Sequence, residues 1–241
     1  MLYRQQAAPP QVRHRSREVA CGAGGEIITR PLQGVHTAAD PLVPAAADLL
    51  ATDKRPRLSH VWRREASDHY VEPRWVSTRL FEVEDFDRSH VLLDPCTGFG
   101  RIADAAKGAG YVVIAADIAD RGYPGCHLED FLDRKSMPPT VVGNPPFGAV
   151  EAFARHALNL GAIRVALIFP VARLNAARWL KALPLRRVWL LTPRPSMPPG
   201  HVIVRGEKPG GGKVDFAWLV FERGYVGSAE LAWLHRDRAA P

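Results

Sequence analysis

Beyond about residue 60 the chain alternates short apolar runs with amphipathic stretches, the pattern of strands interleaved with helices. Val91-Leu92-Leu93 is an apolar run stopped by Asp94-Pro95, and 111–116, 140–143 and 165–169 repeat that character. A weaker strand is expected near 126–128. Between the runs, 75–82 reads as a helix introduced by Pro73, and 101–107 as a second, with Gly108 as its C-terminal cap. The stretch 150–160 sets Val150, Phe153, Ala154, Ala157 and Leu158 on one helical face, and Gly161 closes it. A further helix is expected at 172–182 and a strand at 187–191. In 214–221, Val214, Phe216, Trp218 and Val220 alternate with Asp215, Ala217, Leu219 and Phe221, the period of a strand.

Apolar strands separated by helices predict an α/β fold, with a mostly parallel sheet of about seven strands and helices on both faces. The last two strands are joined by roughly 20 Pro- and Gly-rich residues that hold no crossover helix, so they should form an antiparallel hairpin. The expected domain is 61–225. Residues 1–60 lack periodicity and read as a mostly disordered, basic, Ala- and Pro-rich extension, either a nucleic-acid-binding arm or a dispensable tail. Residues 226–241 read as a short C-terminal tail with room for a helix at 229–235.

Composition narrows the function classes. The 241 residues are 46% hydrophobic, enough for a full core, and the net charge of +7 favours a polyanionic partner. No apolar run reaches membrane-spanning length, and the Arg-rich start lacks the core of a signal peptide. Cys21, Cys96 and Cys126 lack CxxC spacing, which fits a reducing cytoplasm better than a disulfide framework; Cys126-His127 has no second half, so no metal site is expected.

The chemistry sits where apolar strands end. Asp94-Pro95-Cys96-Thr97-Gly98-Phe99-Gly100 follows the first strand, and Gly98 and Gly100 let backbone approach a ligand where a Cβ would collide. The next helix starts there, with its N-terminal amides facing the same place. Asp117 ends the second strand, where a carboxylate can accept both hydroxyls of a ribose. The other loop is Asn144-Pro145-Pro146-Phe147. Its prolines stiffen the backbone, so the Asn144 side-chain oxygen and the Pro145 carbonyl can aim two acceptors at one small amine, and Phe147 offers a face to a flat substrate. Read alone, it is also an ordinary strand-to-helix turn.

In this order the two loops resemble those of class I S-adenosylmethionine (SAM) dependent methyltransferases acting on planar nitrogens, and most nearly the compact DNA adenine-N6 methyltransferases of phages and prophages. The resemblance runs over about 68–225. It implies SAM as cofactor, with Asp94, Pro95, Cys96, Thr97, Gly98 and Gly100 at its methionine part and Asp117 at its ribose. It also places Asp130 and Phe131, with Ile118, at the adenine ring; the alternative for Asp130 is a plain helix N-cap. Tyr70-Val71-Glu72-Pro73-Arg74-Trp75 is similar to the family segment that usually carries Thr-Pro. Pro73 and Trp75 match as cofactor contacts, the alternative for Trp75 being a core position on its helix, whereas Glu72 stands in place of Thr.

The implied reaction is methylation of the adenine N6 amine in DNA, with Asn144, Pro145, Pro146 and Phe147 as the catalytic loop and no metal. A base in duplex DNA must flip to reach such a pocket. Arg194, Arg205, Lys208 and Lys213, in the loop after the sixth strand, are candidate phosphate contacts, against the alternative of a solvated loop. About 20 residues follow Phe221, so a separate target-recognition domain is not expected. The same catalytic loop serves RNA-base amino groups and protein glutamine amides, and a catalytically inactive SAM- or nucleic-acid-binding module is the non-enzyme alternative.

Overall fold

The computed structural model describes residues 69–207 and 210–237. Expectations about 1–60, the domain start at 61 and the position of Lys208 lie outside the described residues.

The parallel half of the sheet follows from buried runs too apolar to have a wet face. Strands β1 (Leu92–Asp94), β2 (Val113–Asp117), β3 (His127–Leu128), β4 (Thr140–Gly143) and β5 (Arg164–Pro170) pair in the order β3-β2-β1-β4-β5, all parallel. Helices α1 (Arg74–Val83), α2 (Arg101–Gly108) and α3 (Val150–Asn159) agree with the sequence pattern to within a residue or two. Alternation along the strands sorts side chains into two cores. Ala166, Ile168, Trp218 and Val220 pack with Val76 and Leu80 of α1 and Ile102 of α2. Val165, Leu167, Leu219 and Phe221 pack on the other face with Val150, Phe153 and Ala157 of α3. The Trp218 indole donates to the Val76 carbonyl at 3.2 Å, so its one polar atom is satisfied in the core.

The far half of the sheet departs from expectation in three places. Strands β6 (Leu185–Thr192) and β7 (Phe216–Glu222) are antiparallel as expected, but β7 inserts between β5 and β6 and runs antiparallel to both. Residues 229–235 are not a helix but an eighth strand, β8 (Glu230–His235), parallel to β6. The Leu231-to-Leu234 spacing mimics a helix, but Leu231 and Trp233 are exposed while Leu234 is buried, which is the two-residue period of a strand. The domain therefore extends past 225, and these residues are not a tail. The expected helix at 172–182 is instead two 3-10 turns, Val171–Ala176 and Arg178–Ala182, broken at Ala177 with ψ near 63°. Neither turn has a buried residue, and only Ala177 between them is buried, so no apolar stripe rewards one continuous helix.

A short helix α4 (Gly200–Val204) occupies part of the expected 192–213 loop. Order β3-β2-β1-β4-β5-β7-β6-β8 with an antiparallel β7 is the Rossmann-like class I methyltransferase sheet plus one edge strand.

Candidate active site

The carboxyl ends of β1, β2 and β4 surround a cavity of about 210 Å³. Ligands bind at this edge in open parallel sheets because the strand ends and the following helix N-termini converge there. Of the residues expected at the cofactor, Pro95, Cys96, Thr97 and Gly98 line the cavity on one side, and Asp117, Ile118, Asp130 and Phe131 on another. Asn144 and Pro146 close it from the β4 side.

The loop after β1 is held by its own chemistry. Asp94 is fully buried; one carboxylate oxygen, Oδ1, accepts from the Cys96 amide at 3.3 Å, and its carbonyl accepts from the Thr97 hydroxyl at 3.0 Å. The other oxygen, Oδ2, is buried and makes no close hydrogen bond. Burial, and then the nearby charge of Glu72, push the Asp94 carboxyl well up from its ordinary value. Burial, with the charges of Asp94 and Asp117, raises the Cys96 thiol, so Cys96 stays a neutral wall. Gly98 has φ +53 and Gly100 φ +79, and a Cβ on Gly100 would lie 1.9 Å from the Tyr123 ring. The loop tolerates no larger residue there.

Asp117 Oδ2 accepts from the Gly98 amide at 2.9 Å; Oδ1 accepts from the Ala119 amide at 3.0 Å and faces Arg121 Nε at 3.3 Å. A carboxylate has about four acceptor positions, so one remains for a ligand while Arg121 stays in place. Asp130 is in part the N-cap that its alternative reading required, since its Oδ1 accepts from the Leu132 amide at 2.9 Å; it lines the cavity as well. Phe131 stacks on Phe153, with ring centroids 4.5 Å apart, which holds the ring at the cavity wall.

Asn144 is the best-defined polar group of the site. Its amide nitrogen donates at 2.9 Å both to the Tyr70 carbonyl and to a carboxylate oxygen, Oε2, of Glu72. Two acceptors on one side fix which end is nitrogen, and both N–H groups are used, leaving Oδ1 as the acceptor the amide presents. The Pro146 carbonyl accepts from Ala149; the Pro145 carbonyl has no hydrogen bond among the described residues.

Several expected contacts do not reach the cavity. Pro73 and Trp75 are not in its lining; Trp75 packs against the α1–α2 core. Asp94 and Gly100 lie behind the lining, and Pro145 is buried beside it. Phe147 offers no free face there. It stacks on Tyr70, with centroids 6.0 Å apart and planes 11° apart, and tilts against Phe216. Tyr70, on which it stacks, lines the cavity instead, together with Phe99, Phe131 and Phe153.

The sequence reading missed His69, Tyr70, Phe99, Arg101 and Arg121, and left Glu72 as an unmatched residue; all line the cavity. Residues 69–72 arrive there by pairing with the loop after β6. The Val71 amide donates to Pro198 and the Gly200 amide to His69, each at 2.9 Å. Arg101 donates to the Glu72 carbonyl at 2.6 Å. Glu72 itself is 5% exposed and its carboxyl is raised, first by burial, against the lowering effects of hydrogen bonds and Arg101. No local signal reveals these positions, because they depend on pairing between segments more than 100 residues apart.

The basic loop is less free than expected. Arg194 pairs with Asp215 at 2.6 Å and Arg205 with Glu207 at 3.8 Å, all exposed; Lys213 is exposed. Among the described residues no helix is long and apolar enough to cross a membrane, and no group of three or more His, Cys, Asp or Glu is placed to hold a metal ion.

The sheet order, with a cavity at the β1–β2–β4 ends, defines a Rossmann-like architecture. No protein-family model matches the chain, and no curated protein does. Solved structures of similar shape include the type I restriction-modification methyltransferase subunit from Streptococcus thermophilus, at 14% identity and TM-score 0.47 over 66% of this chain and 46% of that one. The 23S rRNA methyltransferase ErmE aligns at 16% identity and TM-score 0.45 over 66% of this chain and 73% of that one. Magnesium protoporphyrin IX methyltransferase from Synechocystis PCC 6803, solved with bound SAM, aligns at 15% identity and TM-score 0.40 over 56% and 70%. The chain spans less than half the length of the type I modification subunits it resembles in shape.

Proposed function

We propose that this chain is a SAM-dependent methyltransferase that transfers a methyl group to the N6 amine of adenine in DNA. The observation that carries the reading is the Asn144 amide. Tyr70 and Glu72 hold both of its N–H groups, so Oδ1 is presented as a fixed acceptor on the rim of an acid-rich cavity.

The residues fit the cofactor. Glu72 and Asp94 are buried carboxyls short of cationic partners, and Asp94 Oδ2 has none, so a cationic ligand relieves their cost. Asp117 has an acceptor position for a ribose hydroxyl, and Phe131 and Ile118 give an apolar wall for the base. The cofactor supplies an electrophilic methyl group on a sulfonium. Asn144 Oδ1 and the Pro145 carbonyl would each accept one N6 hydrogen, which favours a pyramidal nitrogen with its lone pair free of the ring. The N6 nitrogen would accept the methyl group that the sulfonium gives up, and would lose one proton to solvent. Catalysis is then positioning and preorganised electrostatics.

DNA as the substrate rests on the +7 charge and on the resemblance in the two loops. Phosphate contacts at Arg194 and Arg205 would have to compete with Asp215 and Glu207. The reading is tested by incubating the protein with methyl-labelled SAM and, in parallel, DNA, RNA and protein, followed by nucleoside and amino-acid identification. N6-methyladenine in DNA is the expected product. Label found only in RNA or in glutamine moves the substrate class. Absence of transfer to all three, with SAM bound, makes the chain a binding module.

A further inference from the structure

We infer that Glu72 is a positioning residue that holds the Asn144 amide in its acceptor-outward orientation and strengthens Oδ1 as an acceptor. This rests on the methyltransferase reading above.

The geometry is specific. An Asn side chain on a strand-end loop can turn its amide by a half rotation at little cost, because this torsion is broad and roughly two-fold. In the wrong orientation it would offer an amine substrate two donors and no acceptor. The Tyr70 carbonyl alone engages one N–H, which leaves a single hinge point; Glu72 engages the other and closes the fork. Donation to a carboxylate also polarises the amide, so negative charge builds on Oδ1, the atom facing the substrate.

Glu72 is itself held. Its carbonyl accepts from Arg101 of α2, and its chain segment is pinned by Val71 donating to Pro198. Burying a carboxyl at 5% exposure is costly, and a Thr or Gln would fill the space without that cost. What the Glu72 side chain supplies in this position is an acceptor for the Asn144 amide. Burial raises its carboxyl from the ordinary value.

The test compares Glu72→Gln, which can still accept from Asn144, with Glu72→Met, which has similar volume and cannot. Steady-state methyl transfer and SAM dissociation constants are measured for each, and again in an Asn144→Ala background. Glu72→Met should lower kcat roughly 10–100-fold, the scale of a misplaced catalytic group, while any loss of SAM affinity should be the same in Glu72→Met and Glu72→Gln, since both remove the charge. Glu72→Gln should recover most of the loss. In the Asn144→Ala background Glu72→Met should cost nothing further, because the two residues act as one unit.

A readout independent of turnover is the Asn144 side-chain amide in ¹⁵N NMR, assigned by its disappearance in Asn144→Ala. Its two protons should exchange slowly in wild type and Glu72→Gln and quickly in Glu72→Met. Equal kcat for wild type and Glu72→Met, losses that multiply in the double variant, or unchanged amide exchange would each overturn the inference. Should Glu72→Met not fold, Glu72→Asp, which retracts the carboxylate by one methylene, must show the same loss. A wild-type protein that binds SAM but transfers no methyl group would instead sink the methyltransferase reading, while the exchange data still report whether Glu72 holds the amide.

Discussion

The two edges of the sheet handle buried acids in opposite ways. At the amino edge, Glu84 is 3% exposed and its carboxylate meets Arg164 at 2.5 Å, Arg187 at 2.8 Å and the Trp189 indole at 2.7 Å. Arg164 and Arg186 also hold Glu222, and Arg187 holds Glu230, so the network ties α1 to β5, β6, β7 and β8. At the carboxyl edge, Glu72 and Asp94 are buried without an ion pair to a side-chain cation, and Asp94 Oδ2 makes no close hydrogen bond. The amino edge pairs its acids with cations inside the fold, although Arg164 Nε is itself left without a partner. The other leaves them for something the chain does not contain, which is the expected mark of a functional site.

The comparison breaks most readily at Glu84. Glu84→Ala leaves Arg164 and Arg187 partly buried without their shared partner, and breaking such a pair costs about 3–5 kcal/mol. Denaturant unfolding should show that loss; a change below 1 kcal/mol would mean that solvent replaces Glu84 and that the edges do not differ.

On the carboxyl edge the largest effect should fall on chemistry. Asn144→Ala should leave unfolding and SAM affinity nearly unchanged while methyl transfer drops roughly 10²–10³-fold, the scale of losing one preorganised partner of a transition state. Transfer at the wild-type rate would return the Asn-Pro-Pro-Phe loop to a rigid turn.

Asp117→Ala should act on binding. Loss of a charge-assisted acceptor weakens SAM by about 1.5–3 kcal/mol in calorimetry. Because Asp117 also holds the Gly98 amide and Arg121, a Kd unchanged from wild type would remove it from both roles.

The smallest effect is one of pH, and it belongs to the carboxyl edge. Glu72 and Asp94 have raised carboxyls, so folding favours their protonated forms. Their contribution to stability is complete below the ordinary carboxylate range and is lost as pH rises through their raised values. Thermal stability of the SAM-free protein should therefore fall over that interval. In Glu72→Gln or Asp94→Asn the fall should be shallower. An equal fall in the variants would place its origin elsewhere.

Much of the molecule was legible in the chain, for reasons that differ by element. Continuous apolar runs and one-faced amphipathic stretches encode β1, β2, β4, β5, α1, α2 and α3, because burial period and local conformation agree there. The two loops were visible because Asp94, Gly98, Gly100, Asp117 and Asn144 are residue types whose chemistry is tied to strand ends. Elements governed by partners rather than by local preference were misread. Leu231 to Leu234 carries both a helical and a strand spacing, and only pairing with β6 selects the strand. Residues 171–182 lose their helix because no continuous face is buried.

The site divides along the same line. Sequence alone determined which strand ends carry acids and amides, since these follow from residue type and chain order. Tertiary structure decided which of them share a cavity. It moved Trp75 and Phe147 into packing, brought His69, Tyr70 and Glu72 to the rim, and turned Asn144 outward. Those outcomes rest on a bridge between Tyr70 and Pro199 and on two hydrogen bonds from one amide. Contacts between segments so far apart leave no periodic trace in the chain, because they are selected by packing of the whole sheet and not by the residues beside them.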